Sequence, residues 1–367
     1  MNSREQDRLL ALDSLRAIAA LAVVFYHYTN GYEHVVGPHT RPVPNVELGH
    51  LGVDLFFVIS GFVIAWTLER SSCLADFAFG RFARLYPAYL AGVTITGIVV
   101  FGFGFNPAHV QTSDIAWNTI MGLPPLVKAN NLDASYWTLG VEVSFYVMAA
   151  AVTSGLPKVR FEIFCLVWLA TSLLARALLP GHMRFQLLLV SNYSPLFVAG
   201  AMLFALSPTM RPDRLTLATF AAAIAVCFVG ADPPWLRLTN GAGLCLFIGL
   251  VFGAATGRLT FLNFRPLVVV GQASYSLYLI HQIVGYWVIS RFEQLGIHPL
   301  VAIAVATLLV ISAAVGLRTL VEVPAQRFLW NATRAHLGGS RRADLEEPNN
   351  ARSRSWHSSV TCNGQDP

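Results

Sequence analysis

The sequence predicts an all-α, polytopic integral membrane protein of about ten transmembrane helices, with both termini in the cytoplasm. Three observations predict it. Hydrophobic residues make up 55% of the 367-residue chain and charged residues only 12%, about half the charged share of an ordinary soluble domain. Mean hydropathy is +0.55. The apolar residues also gather in runs of membrane-crossing length, and ten such runs of about 20 residues would occupy about 200 positions. This balance excludes a soluble globular enzyme, a disordered chain and a disulfide-stapled secreted domain.

The apolar windows fall at about 9–29, 48–68, 88–105, 138–155, 162–180, 186–206, 215–231, 238–256, 267–290 and 299–320. The first begins at Leu9, carries Arg16 inside it and lacks a small-residue cleavage site, so a cleavable signal peptide is not expected. Aromatic residues such as Tyr28, Trp66, Tyr86, Trp137 and Trp235 stand near predicted span ends, where an interfacial belt would place them. No internal repeat is evident. Residues 1–332 read as one transmembrane domain, and the polar, unpatterned residues 333–367 as a disordered cytoplasmic tail.

Basic residues orient the spans. With a cytoplasmic N-terminus, 18 of the 25 Lys and Arg fall on the inner side, 6 fall outside, and Arg16 stays within a span. Leaving out the distal tail after residue 340 still gives 14 against 6. The net charge of +5 is the excess that cytoplasmic loops carry, and no nucleic-acid partner is expected. Two outer loops, about 30–47 and 106–137, are long enough to do more than connect. The five cysteines show neither CxxC nor metal-ligand spacing, so no metal is expected.

Charged side chains at bilayer depth cost about 3 kcal/mol on insertion scales, which marks them as functional candidates. Four stand out: Arg16 and His27 in the first span, Asp54 in the second and Glu142 in the fourth. His281 in the ninth is a fifth. Arg16 and His27 are eleven residues apart, three helical turns plus about 20°, so they project from one face about 16 Å apart along the axis. The alternating direction of the spans puts His27, Asp54, Glu142 and His281 in one outer layer of the membrane. An imidazole with carboxylates in reach is the kit of a general base, and structural ion pairs between helices are the alternative. Arg81 and Arg84, three apart ahead of the third window, share a helical face at the inner surface. Two guanidiniums there suit bidentate contacts to phosphates; ordinary positive-inside anchoring is the other reading.

These residues sit in motifs. The run LDSLRAIAALAVVFYH (Leu12–His27), with its R-x10-H, resembles the membrane-bound acyltransferase-3 family. GVDLFFVISGFVI (Gly52–Ile64), RFARLYPAYL (Arg81–Leu90) with R-x-x-R, and YWTLGVEVSFYV (Tyr136–Val147) follow in that family's order. SPLFVAGAMLF (Ser194–Phe204), GQASYSLYLIHQ (Gly271–Gln282) and VEVPAQRF (Val321–Phe328) come after them, so the likeness covers about residues 9–330.

The resemblance implies transfer of an acyl group, often acetyl from cytoplasmic acetyl-CoA, to a hydroxyl of a carbohydrate such as a surface or exported polysaccharide. Acyl-CoA would be a co-substrate and no cofactor would stay bound. The setting would be the bacterial inner membrane. By motif, His27 is implied as the catalytic residue with Arg16 as its companion, Arg81 and Arg84 as the donor-handling pair, and Glu142 as the acid of the W-[ST]-L-x-x-E block. Asp54 lies in a family block and joins the catalytic set. Some relatives carry an additional extracytoplasmic hydrolase-like domain; without one, acceptor modification would rest on the membrane domain or a partner. A transporter using the intramembrane Arg, His and acidic groups as a proton relay is the competing class, and a scaffold for glycan synthesis a third.

Overall fold

The computed structural model describes residues 3–71, 74–122, 124–127, 129–155, 160–178, 192–206, 212–229 and 234–336. Every regular element among them is helical. Helix α1 (Ser3–Tyr26), rich in the strong helix formers Leu and Ala, runs into a π turn at His27–Gly31 and a short helix at Tyr32–Val35. Next come α2 (Gly52–Arg70), α3 (Leu74–Gly97), α4 (Trp137–Gly155) and α5 (Phe161–Leu178). The bundle continues with α6 (Ser194–Ala205), α7 (Arg214–Cys227) and α8 (Pro234–Ala255). It closes with α9 (Arg265–Gln272), α10 (Ser274–Gln294), α11 (Pro299–Leu317) and α12 (Val323–His336).

Among the described residues, five continuous helical stretches are long and apolar enough to cross a membrane: Arg8–Val35, Glu47–Arg70, Leu74–Gly102, Phe161–Leu178 and Pro299–Ala332. A sixth is the pair α9 and α10, if it makes one span despite its 74° bend at Ala273. The windows at 138–155, 215–231 and 238–256 correspond to α4, α7 and α8, of which α7 and the apolar part of α8, Gly241–Ala255, are shorter than a span. Most of the first half of the window at 186–206 lies outside the described residues, and α6 is its second half. The expected tail lies outside them from residue 337 onward. The third window began at 88, whereas α3 begins at Leu74 and holds Arg81 and Arg84 within one continuous helix. Hydropathy dates the apolar part of a helix; hydrogen bonding carries the helix beyond it.

Two apolar cores form, and α1 belongs to both. Its first half (Ala11, Leu12, Leu15, Ala19) packs with α2 and α4 to α8. Its second half (Ala20, Val24, Tyr28) packs with α3, α10 and α11. Phe56 and Tyr275 touch both cores, so a seam runs through the bundle beside α1. On the first core's rim, Arg160 bonds Asp213 at 2.6 Å and Glu162 at 3.1 Å, tying α5 to the start of α7. Arg160 and the Thr216 amide hold the Asp213 carboxyl well below the usual carboxylate range.

A pair of glycines brings α2 and α6 to backbone contact. A Cβ on Gly61 would collide with the Phe197 carbonyl oxygen, and one on Gly200 with that of Val58. Small residues let membrane helices approach to backbone contact, where dispersion replaces the hydrophobic effect that lipid does not supply. Gly61→Val and Gly200→Val should each cost roughly 1–3 kcal/mol or more through overpacking, read as a lowered melting temperature of detergent-purified protein. Gly249→Ala should leave it in place, because nothing lies within 4 Å of a Cβ there.

Candidate active site

Two chambers open along the seam. The first is built by three arginines: Arg16 from α1, and Arg81 and Arg84 from α3, one turn apart. Glu142 and Tyr146 of α4 face them, and Ser60 comes from α2. The space is about 750 Å³ counting its open mouth. Glu142 is held on its own side, with the Ser60 hydroxyl donating to it at 2.8 Å and the Tyr146 hydroxyl donating to the same oxygen. The Arg81 Nε is buried without a hydrogen-bond partner. Three guanidiniums and one carboxylate line the chamber, with Asp13 and Glu322 near Arg16 and Arg84 behind the wall; guanidiniums so grouped suit a ligand that brings several acceptors.

The second chamber, about 760 Å³ by the same measure, is lined by His27 and Tyr26 of α1 and by His50 and Asp54 at the start of α2. Ser135 and Trp137 at the head of α4, Tyr193 and Gln282 complete it. His27 begins the π turn, a widening of the helix that is frequent at functional sites.

The hydrogen bonds of His27 assign its protons. Its Nδ1 lies 3.0 Å from the Val23 carbonyl, which can only accept, and 3.0 Å from the Nε2 of His281. The Nδ1 of His281 lies 2.8 Å from the Tyr278 carbonyl. Assigned from these acceptors, each ring carries its proton on Nδ1: His281 donates to Tyr278, its Nε2 accepts from His27, and the His27 Nε2 is left as a lone pair. His27 lines the chamber, and a neutral imidazole with one nitrogen fixed and the other bare is the form a general base needs. The Tyr28 hydroxyl, donating to the His281 carbonyl at 2.9 Å, ties the two helices at the same level.

The structure therefore sorts the sequence candidates. Arg16, Arg81, Arg84 and Glu142 come together; His27 and Asp54 come together in the other chamber. The expected single layer divides, because Glu142 faces the arginines, and the hydrogen-bonding side chain on His27 is His281 rather than a carboxylate. One helix face carries Arg16 into one chamber and His27 into the next, as eleven residues of rise allow.

Sequence reasoning did not single out Ser60 and Tyr146, which hold Glu142, or Gln282, Trp137 and Tyr193 of the second chamber. Nor did it find His39 in the first outer loop. His39 Nδ1 lies 2.5 Å from Glu293 Oε1 and its Nε2 lies 3.0 Å from the Tyr28 carbonyl, fastening that loop over α10 next to the histidine pair. Its partner is 254 positions away, a separation that no local pattern signals.

A helical bundle with membrane-length helices and two polar chambers beside α1 suits a membrane protein that handles a polar ligand. The chain belongs to the acyltransferase-3 family, whose acyltransferase domain matches residues 9–319. It is 30% identical over 151 residues to the acyltransferase MdmB of Streptomyces mycarofaciens, an alignment covering 38% of each protein. It is 29% identical over 261 residues to the exopolysaccharide production protein ExoZ of Rhizobium meliloti, covering 64% of this chain and 76% of ExoZ. Against the O-acetyltransferase OatA of Staphylococcus aureus it is 24% identical over 364 residues, 87% of this chain and 57% of OatA. The chain spans well under half the length of the first curated relatives it matches. No solved structure matches it.

Glu142→Ala would strip an acceptor from two hydroxyls and a counter-charge from Arg16 and Arg81. It should destabilise the protein by roughly 1–3 kcal/mol, measured by thermal unfolding. Glu142→Gln, which keeps an acceptor for Ser60, should recover part of that loss.

Proposed function

We propose that this protein is an O-acyltransferase that moves an acyl group, acetyl foremost, from acyl-CoA to a hydroxyl of a surface or exported polysaccharide. The names of its relatives, among them an O-acetyltransferase and an exopolysaccharide production protein, support the reaction and the acceptor class. The single observation that carries the reading is the free Nε2 of His27, set by the hydrogen bond to His281, beside a separate arginine chamber.

In this reading the CoA phosphates rest against Arg81 and Arg84, and the pantetheine arm, on the order of 20 Å long, reaches along α1, whose rise over eleven residues is about 16 Å. His27 Nε2 takes the proton of the acceptor hydroxyl as its oxygen attacks the thioester carbonyl. Arg16 steadies the negative charge that develops on the donor side. Collapse of the tetrahedral intermediate breaks the carbon–sulfur bond, and the thiolate leaves as CoA–SH with the proton returned from His27. An acyl-histidine formed first at the same nitrogen is the stepwise version of the reaction. Asp54 shares the acceptor chamber and orients the hydroxyl. Ten spans, cytoplasmic termini and an inner-membrane location complete the picture, since CoA is cytoplasmic and the arginines would then face the inner side.

His27→Ala, at equal membrane abundance, should lower CoA release and polysaccharide acylation by about 10²–10⁴-fold, the usual worth of a general base. Wild-type acylation in that variant would sink the mechanism. Arg84→Ala should act differently, raising KM for acyl-CoA by roughly tenfold with a smaller change in kcat, as loss of a charge-assisted contact to the donor does. Flux of a solute through purified protein in liposomes, with no acyl chemistry, would favour a transporter instead.

A further inference from the structure

The first outer loop returns to the bundle at His39. That side chain is 1% exposed, and its partner Glu293, near the end of α10, is 4% exposed. The imidazole stacks on the Tyr32 ring, with centroids 4.5 Å apart and planes 14° from parallel. Its Nδ1 faces Glu293 Oε1 at 2.5 Å, and its Nε2 faces the Tyr28 carbonyl at 3.0 Å. The Thr40 amide donates to the other Glu293 oxygen at 2.9 Å.

These contacts fix the proton count of the pair. The Tyr28 carbonyl can only accept, so His39 carries a proton on Nε2. The contact between Nδ1 and Glu293 needs a second proton, because two lone pairs 2.5 Å apart would repel. Whether that proton sits on nitrogen or on oxygen, the pair as a whole is electrically neutral. Neutrality suits its burial, where a lone carboxylate would be costly.

The bond to Tyr28 lands one residue from His27, inside the π turn His27–Gly31. Tyr28 is held at both ends: its carbonyl accepts from His39, and its hydroxyl donates to the carbonyl of His281, the residue whose ring bonds His27. The far end of the same loop holds the next two residues, the Val46 amide lying 3.3 Å from Thr29 Oγ1 and 3.1 Å from Asn30 Oδ1. Three successive residues of an uncommon helical geometry are thus bonded from outside the helix.

We propose that His39, as the donor half of a neutral pair with Glu293, is a positioning residue for His27: it fixes the π turn and, through it, the direction of the His27 imidazole. Neither His39 nor Glu293 lines the chamber, so His39 acts through Tyr28. The consequence for the reaction rests on the acyl-CoA reading above; the hold on the turn does not. Misplacing a catalytic group by about 1 Å can cost on the order of 100-fold in rate.

Hydrogen–deuterium exchange of detergent-purified full-length protein, followed by mass spectrometry, reads the hold directly. Acetyl transfer from acetyl-CoA to the endogenous acceptor in membrane vesicles reads its consequence. His39→Ala leaves Glu293 buried without its partner, so the double variant His39→Ala/Glu293→Ala, which buries no charge, is measured beside it. In both, the amides of residues 28–33 should exchange roughly tenfold faster or more, the worth of one hydrogen bond, while those of residues 12–22 keep parental rates. The maximal rate should fall by about 10–100-fold with KM for acetyl-CoA within about twofold of the parent, since the arginine chamber is untouched. Glu293→Gln should keep both readouts parental, because its amide can donate to Nδ1 and its carbonyl can accept from Thr40. Parental exchange at residues 28–33 in the double variant overturns the proposal, and so does a parental maximal rate there. A turn loosened as far by Glu293→Gln as by the alanine changes overturns the neutral pair. A parent that transfers no acetyl sinks the acyl-CoA reading, and the exchange rates still decide whether His39 holds the turn.

Discussion

Charge inside an apolar bundle is the constraint on which this structure depends. A guanidinium or carboxylate taken out of water has to find partners or a solvated cavity. Arg16, Arg81, Arg84 and Glu142 meet that demand by sharing one chamber, and Ser60 and Tyr146 satisfy Glu142. At the other end of the seam, beside Asp54, the two imidazoles meet the same demand through hydrogen bonds: His27 and His281 bond to each other and to backbone carbonyls. The chamber that gathers cations suits an anionic donor, and the chamber that keeps a neutral imidazole suits proton transfer. The contrast between the two chambers follows from how each polar group is satisfied.

Helix α1 holds this arrangement because it is shared by both cores. It brings Arg16 to one chamber and His27 to the other, so any shift of α1 moves both. Around it, packing at backbone distance (Gly61 and Gly200 between α2 and α6) gives the rigidity that side-chain hydrogen bonds alone do not. Long-range bonds close the outer end: His39 to Glu293, and Asp133, which accepts from the Ser135 amide at 2.8 Å and the Ile283 amide at 3.2 Å. The turn that lines the histidine chamber is thereby tied to α10, the helix carrying His281 and Tyr278. The histidine chamber is thus walled by elements bonded to one another.

Much of this was legible in the chain. Apolar windows located most of the helices, and the polar residues left inside them (Arg16, His27, Asp54, Glu142) are all chamber residues in the structure. The motifs pointed to the acyltransferase-3 family over the same stretch that its domain matches. What periodicity could not resolve was which polar residue faces which. Depth estimates put Glu142 level with His27, but depth counts residues along one helix, whereas partnership depends on rotation and tilt between helices. The reach of α3 back to Leu74 was likewise hidden, because the helix continues past the end of its apolar stretch.

Composition, hydropathy and spacing by themselves determined that the chain is a helical membrane protein and which few charges are costly enough to matter, since both are properties of local sequence and of transfer from water to lipid. Only the tertiary structure decided that those polar residues divide between two chambers, that His281 rather than a carboxylate fixes His27, and that Tyr278 bonds to the turn ahead of α4. Each of those depends on contacts between residues on the order of 100 to 250 positions apart, and such contacts are set by how helices pack against one another, which no single segment encodes.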